Sequence, residues 1–183
     1  MKGEPPVYNA QRLIGLPVID GKTGRRAGKV LDLWFDEHWS LRGLLLKAGR
    51  WWFKRYCDVA PWESVTALGP DAVLLSDAGA VRRYDAAEIG RTFHTGRIRL
   101  KDLPVVTDEG RQLGRVSDVY FQENQGTPIT GLELTDGFVS DLLEGRKRLK
   151  FPADPGLVKL GEDAILVPAR CEQDLEAFVR ESG

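Results

Sequence analysis

Short runs of alternating apolar and polar residues occur along the whole chain, and they occur in the same order twice. Residues 28–35, Gly-Lys-Val-Leu-Asp-Leu-Trp-Phe, return at 114–121 as Gly-Arg-Val-Ser-Asp-Val-Tyr-Phe. The flanking runs recur as well, and the spacing between equivalent positions drifts from 87 residues before this block to 92 residues near the end of the repeat. Constant strands joined by loops of changing length produce such a drift. The pattern therefore predicts two structural copies in one chain.

Each copy is predicted to be a series of short β-strands, because alternation with a period of two is typical of strands. In the first copy, such runs lie at residues 16–20, 28–36, 39–48, 55–59 and 72–76, and a glycine-rich turn at 21–24 follows the first of them. A helical turn is expected at 61–65, where Pro61 suits a first helical position.

Three further segments have features of short helices. Asp85 and Glu88 have the spacing of a helix-start motif in the stretch between the copies. Residues 138–145 are apolar at helical spacing and end in glycine, and Leu175 and Phe178 share a helical face near the C-terminus. We expect a helix in each segment.

The repeat places the first copy at residues 8–77, a linker at 78–98, the second copy at 99–170 and a C-terminal helix at 171–183. Because each copy contains a full series of strands, we expect the two halves to be separable folding units.

Composition narrows the function classes. The 183 residues carry a net charge of −1, so no global field attracts nucleic acid or a membrane surface. Residues 1–6 lack the apolar core of a signal peptide, and no window reaches the roughly 18 apolar residues of a membrane span. The two cysteines form no metal-binding spacing. A cytoplasmic protein is expected.

The repeated pattern resembles the PRC-barrel family. The resemblance is carried by residues 16–18, 28–35, 43–44 and 69–75 together with their second-copy counterparts. It implies an all-β fold of two small antiparallel β-barrels in tandem, to which the patterns above add short helices in the linker, in the second repeat and at the C-terminus.

The family includes the H subunit of photosynthetic reaction centres, the ribosome maturation factor RimM and small bacterial proteins linked to sporulation. Its members act mainly as adaptors that bind other proteins or assemblies. The resemblance therefore implies no catalytic residues and no cofactor.

Two aspartates occupy the same place in both copies, Asp32 and Asp118. Paired carboxylates can perform acid–base catalysis, but these lie in separate copies. An aspartate inside a strand more often accepts hydrogen bonds from the backbone of a neighbouring loop, and we favour that interpretation. Both histidines, His38 and His94, are expected to be polar loop residues.

The sharpest binding candidate is the basic-aromatic segment Arg50, Trp51, Trp52, Phe53, Lys54 and Arg55. Aromatics flanked by cations stack nucleic-acid bases and neutralise phosphates, and tryptophan with arginine is also typical of protein-binding hot spots. A third interpretation has one tryptophan filling the barrel. The second copy has the basic run Arg146, Lys147 and Arg148 at this place.

Leu45 extends the binding candidate. It occupies the place of Glu133, which we expect to point outward as a charged residue. An aliphatic residue at that place predicts that the outer surface of the first copy is covered by something.

The sequence therefore favours a non-catalytic adaptor that binds another protein or assembly. An RNA- or ribosome-associated factor is the alternative, by analogy with RimM, and an enzyme is a distant third. The sequence leaves the identity of the partner and homo-oligomerisation open.

Overall fold

A computed structural model describes residues 7–47, 55–122, 129–136 and 145–178. Over these residues the chain is all-β with very little helix. The strands of the first half are β1 (Val7–Asn9), β2 (Pro17–Asp20), β3 (Arg26–Phe35), β4 (Leu41–Lys47), β5 (Tyr56–Pro61), β6 (Val65–Leu68), β7 (Val73–Leu75) and β8 (Arg82–Asp85). Those of the second half are β9 (Arg91–Thr92), β10 (Ile98–Arg99), β11 (Pro104–Thr107), β12 (Gln112–Gln122), β13 (Ile129–Thr135), β14 (Arg146–Lys150), β15 (Lys159–Leu160), β16 (Ile165–Val167) and β17 (Leu175–Phe178).

Helical structure in these ranges is short. It consists of α1 (Ala10–Leu13) and 3-10 turns at Trp62–Ser64, Ala78–Ala80, Ala86–Glu88, Pro155–Leu157 and Ala169–Glu172. The turn predicted after Pro61 is confirmed. In the linker, Asp85 caps the turn at 86–88 by accepting a hydrogen bond from Ala87 N.

The strands form two sheets with the same order. The first runs β6-β7-β2-β3-β4-β5-β8, and the second runs β15-β16-β11-β12-β13-β14-β17. The equivalent order confirms the tandem repeat. Most neighbours are antiparallel, but β2 pairs with β7 and β11 with β16 in parallel. Over the described ranges, each sheet is an open path of strands and not the closed antiparallel barrel predicted from the sequence.

The C-terminal helix predicted over residues 171–183 is wrong for Leu175–Phe178. These residues form β17, which lies antiparallel to β14 in the position that β8 occupies beside β5. The edge of β14 offers backbone hydrogen-bonding groups to an extended segment, and pairing with it overrides the weak helical periodicity of these four residues. The helix predicted at 138–145 lies outside the described residues apart from Gly145.

Each repeat receives a segment from the start of the other repeat. Strand β1, which precedes the first repeat, pairs with β12 of the second, with Asn9 opposite Tyr120. Strand β9, which precedes the second repeat, pairs with β3 of the first, with Thr92 opposite Trp34. Tyr120 and Trp34 are equivalent positions, so the exchange is reciprocal.

The interior of the protein is likewise shared between the repeats. One cluster of buried apolar side chains runs through both, from Leu33 and Leu44 in the first to Leu132 and Leu134 in the second. Two hydrogen bonds join the repeats at Trp39. Its backbone O accepts from Ile129 N (2.7 Å), and its side-chain Nε1 donates to Val158 O (2.9 Å). The exchange and the common core argue against halves that fold separately.

Candidate functional site

Asp32 is fully buried in β3 and binds the segment that crosses from the second repeat. Its carboxylate accepts hydrogen bonds from the backbone N–H groups of Phe93 (3.1 Å), His94 (2.9 Å) and Thr95 (2.6 Å), and from the Thr95 hydroxyl (2.6 Å). These donors occupy the oxygens that acid–base chemistry would need.

Asp118 performs the equivalent task in the second repeat. It is also fully buried, and its Oδ1 accepts from Gln11 N (3.2 Å) on the N-terminal segment. The Gln11 side-chain amide donates to Ser117 O at 2.6 Å beside it. The predicted interpretation, an aspartate that accepts backbone hydrogen bonds from a neighbouring loop, is confirmed at both positions.

Leu45 lies on the outer face of the first sheet, and that face is covered as predicted. Leu45 is 4% exposed and packs in a second apolar cluster with Val59 and Ile89, against Trp34 and Tyr84. The cover comes from β8 and the turn at 86–88 that follows it. Leu45 is therefore part of a small core in this chain.

The matching face of the second repeat is polar: Glu133 lies on this outer face as predicted, but the exposure expected of an outward charged residue is wrong. Glu133 has no exposed surface. Its carboxylate accepts from Ser117 Oγ (2.9 Å), Tyr120 Oη (2.6 Å) and Arg146 Nη1 (2.6 Å). Burial, with the hydrogen bond to Glu133, raises the pKa of Tyr120 well above its ordinary value. A buried carboxylate persists here because several donors compensate its lost hydration.

Strand pairing shows which residues are equivalent on the two faces. Leu45 pairs with Val59 in the first repeat, and Glu133 pairs with Arg148 in the second. The apolar residues Trp34, Leu45, Cys57 and Val59 of the first repeat correspond to Tyr120, Glu133, Arg146 and Arg148 of the second. Comparison of the two sequences alone aligns Cys57 with Leu149, and the strand register shows that this alignment is wrong by three positions.

The predicted basic residues that the structure describes have partners within the chain. Arg146 binds Glu133, Lys147 binds Asp136 at 2.5 Å, and the Arg148 guanidinium lies 4.4 Å from the centre of the Tyr120 ring. Arg55 is exposed and pairs with Asp85 at 3.1 Å. The remaining members of the basic-aromatic segment, Arg50, Trp51, Trp52, Phe53 and Lys54, lie outside the described residues.

The two histidines and the two cysteines lie in separate environments in the parts described. His38 is exposed beside Glu37, and burial lowers the pKa of His94, whose ring packs edge-on against Phe93. Burial raises the pKa of both thiols, Cys57 and Cys171, which disfavours the reactive thiolate. Among the described residues, no group of histidine, cysteine, aspartate and glutamate could hold a metal ion.

A surface feature that the sequence analysis missed occurs on both repeats. Leu74 in the middle of β7 is 38% exposed, and Leu166 in the middle of β16 is 43% exposed. Each lies beside a partly exposed aliphatic residue on the neighbouring strand, Ile19 and Val106 respectively. We call Ile19–Leu74 and Val106–Leu166 the apolar pairs. Successive side chains of a strand point to opposite faces, so the strand assignment itself could have indicated that the central leucine of each triplet lies on the face opposite the core.

Three polar residues and one alanine border the two apolar pairs. Ile19 lies opposite Arg26, and Val106 lies opposite Gln112. On the other side, Leu74 lies opposite Ala67 and Leu166 opposite Lys159. Residues directly opposite on adjacent strands share a face of the sheet. Each repeat therefore presents a short row of side chains with an apolar centre.

Comparisons with known proteins agree with this architecture. A model of the PRC-barrel domain matches the chain twice, over residues 5–80 and 98–173. A comparison with curated proteins found no match. In the part of the chain that the structure describes, no helix has the length and apolar character needed to cross a membrane. The two matches cover most of the sequence, and the chain belongs to the PRC-barrel family, with two copies of its domain in tandem.

Proposed function

We propose that this protein is a non-catalytic adaptor that uses its tandem PRC-barrel domains to bind another protein or assembly. The observation that supports this most directly is the apolar pair at the same place in both repeats. A single exposed leucine is ordinary on a protein surface. Two at equivalent positions, each beside a second aliphatic side chain, make a repeated contact site.

The duplication itself suits an adaptor. Two modest contact sites held on one shared core can engage a partner together, and the second contact then forms at a high effective concentration. Each apolar pair is small, so either one alone would bind weakly. Together they would give useful affinity without a large exposed apolar patch, which favours aggregation.

The chemistry of the interior supports a role without catalysis. Both equivalent aspartates hold exchanged backbone segments, and Glu133 is engaged by a hydroxyl, a phenol and a guanidinium. Such groups stabilise the fold and are not presented to a substrate.

The RNA-binding alternative has less support. Binding to a phosphate backbone needs several cations that can exchange counterions for phosphates. The run at 146–148 is engaged with Glu133, Asp136 and Tyr120, and Arg55 with Asp85. The adaptor function is therefore the one we propose.

The experiment is a pull-down from extract of the source organism with the wild-type chain and the variant Leu74→Ser/Leu166→Ser. We expect the variant to recover about five- to thirtyfold less partner, the effect of losing about one to two kcal/mol of contact energy. Its melting temperature should stay close to that of the wild type, since both leucines are partly exposed.

The matched control is Leu157→Ser, which removes a leucine of similar exposure (40%) from a turn outside the apolar pairs. Equal loss in the control would refute the assignment to the apolar pairs. The variant Trp51→Ser/Trp52→Ser tests the basic-aromatic segment in the same assay. RNA that stays bound to the wild-type chain at physiological salt would favour the RNA- or ribosome-associated function instead.

A further inference from the structure

The N-terminal segment of residues 7–13, here called the arm, is held by the second repeat. Val7, Tyr8 and Asn9 pair with the end of β12. The Tyr8 ring stacks on Phe121 with centroids 5.9 Å apart, and Ala10 and Leu13 are buried. With the two hydrogen bonds from Gln11, these contacts make an acceptor groove whose occupant is a strand followed by one helical turn.

The arm differs from its counterpart, residues 91–100, in how it is attached. The counterpart is continuous with the linker on one side and with β11 on the other. The described arm reaches the first repeat through the connector at residues 14–16. A change of conformation in this connector is sufficient to direct the arm away from the second repeat of its own molecule.

The connector is short and has an unusual backbone conformation. Gly15 has φ 89°, in the left-handed region, and its N–H donates to Val30 O at 2.8 Å. A Cβ at Gly15 would meet no atom within 4 Å, so the backbone angle and not packing favours glycine there. This conformation turns the chain from the groove of the second repeat back to the first.

We propose that the acceptor groove also takes the arm of a second copy of this chain, which gives a dimer with reciprocally exchanged arms. A second arm makes the same contacts as the first, and only the connector changes conformation. The dimer and the closed monomer then differ mainly in how the arm is tethered. Because a short tether gives an effective concentration of about 1 mM, wild-type dimer should become appreciable near that concentration.

The variant Gly15→Pro tests the proposal. Proline fixes φ near −65° and cannot adopt the closed connector, whereas an open connector accommodates it. We expect Gly15→Pro to be mainly dimeric by light scattering at about 0.1 mM, where the wild type is monomeric. The matched control is Gly24→Pro, which places proline at another left-handed glycine (φ 67°) whose N–H donates to a backbone oxygen, in a turn far from the arm. The control should stay monomeric.

A second substitution identifies the interface. Adding Leu13→Ala to Gly15→Pro removes a buried arm side chain and should shift the dimer to monomer by at least about tenfold in concentration. A dimer unaffected by Leu13→Ala would mean a different interface and would overturn the proposal. A monomeric Gly15→Pro protein whose arm is cut rapidly by protease would also overturn it, because the groove would then be empty.

Wild-type protein supplies an independent measurement that needs no substitution. Light scattering from about 0.05 to 2 mM should show a rising mass that follows a monomer–dimer equilibrium. A mass that stays at the monomer value throughout this range would refute the exchange.

Discussion

The buried aspartates show how single side chains hold the two repeats together. Asp32 supplies a negative charge to a turn that presents three backbone N–H groups in succession. A backbone segment that pairs with few strand residues leaves such donors unsatisfied, and the carboxylate satisfies them. The repeated aspartate is therefore a structural requirement of segment exchange.

Replacing Asp32 with asparagine should lower the free energy of unfolding by about 2–3 kcal/mol, the range for hydrogen bonds to a charged acceptor. The asparagine amide turns one acceptor into a donor that faces other donors. Urea denaturation measures the change. The control Asp71→Asn, at an exposed loop position, should shift the midpoint little, and an equal shift in both variants would contradict this role of Asp32.

A second residue-scale prediction concerns pH. The pKa of Asp20 lies below its ordinary value of 3.8, chiefly because Lys22 N donates to the carboxylate at 2.8 Å. A lowered folded pKa means that the stabilisation is present above about pH 4 and is lost as the pH falls towards the folded pKa. The stability difference between wild type and Asp20→Asn should therefore be largest at neutral pH and shrink below pH 4.

The chain offers a matched control for this pH dependence. Thr107 occupies the place of Asp20 in the second repeat, and its Oγ1 accepts from Arg111 N at 3.1 Å. Because a hydroxyl does not titrate in this range, Thr107→Val should lower stability by the same amount at every pH. Denaturation from pH 2.5 to 7 compares the two. A constant difference for Asp20→Asn would refute the prediction.

At the scale of elements, β3–β4–β5 and β12–β13–β14 bury the same outer face of the sheet with different side chains. The first buries its outer face under apolar residues of the linker, and the second buries a glutamate among donors. The apolar residues of the first repeat pack together, and the polar residues of the second repeat bind one another. Exchanging a single residue between the two repeats would leave a buried polar group without its partners. The interactions should therefore be strongly non-additive.

Glu133→Leu alone should destabilise the protein by about 3 kcal/mol or more, because Arg146 is left buried in part without its carboxylate. The set Tyr120→Trp, Glu133→Leu, Arg146→Cys and Arg148→Val copies the first repeat and should recover at least half of that loss. The reverse control Leu45→Glu buries an unpaired charge in the first repeat and should cost a similar amount. Chemical denaturation compares the three variants, and a four-residue set that is no more stable than Glu133→Leu alone would contradict the coupling.

At the scale of the molecule, we expect the reciprocal exchange to make the two repeats one folding unit. Fragments 1–90 and 91–183 each contain a sheet and the segment that the other sheet needs. We expect each fragment alone to lack a cooperative unfolding transition, and an equimolar mixture to form a one-to-one complex that unfolds cooperatively. Circular dichroism with calorimetry measures this. Two fragments that fold cooperatively and do not associate would restore the independent domains expected from the repeat.

The sequence by itself determined the features that depend on neighbours along the chain or on the comparison of the two copies. Alternation predicts the strands, Pro61 predicts the turn after β5, and the repeat of residues 28–35 at 114–121 predicts equivalent sheets. The covered outer face at Leu45 and the backbone-binding aspartates follow from the same comparison. These features are local, so residue type and spacing suffice to predict them.

Only the tertiary structure decided which distant segment each strand edge receives. The arm pairs with β12 and not with its own repeat, residues 175–178 form a strand because the edge of β14 accepts them, and Glu133 is buried because three donors converge on it. Local propensities differ little between these outcomes, whereas shared burial and satisfied hydrogen bonds differ greatly. The free energy of burial and hydrogen bonding depends on contacts between residues about a hundred positions apart in the chain, such as Gln11 and Asp118. Alternation along the chain carries no information about such contacts.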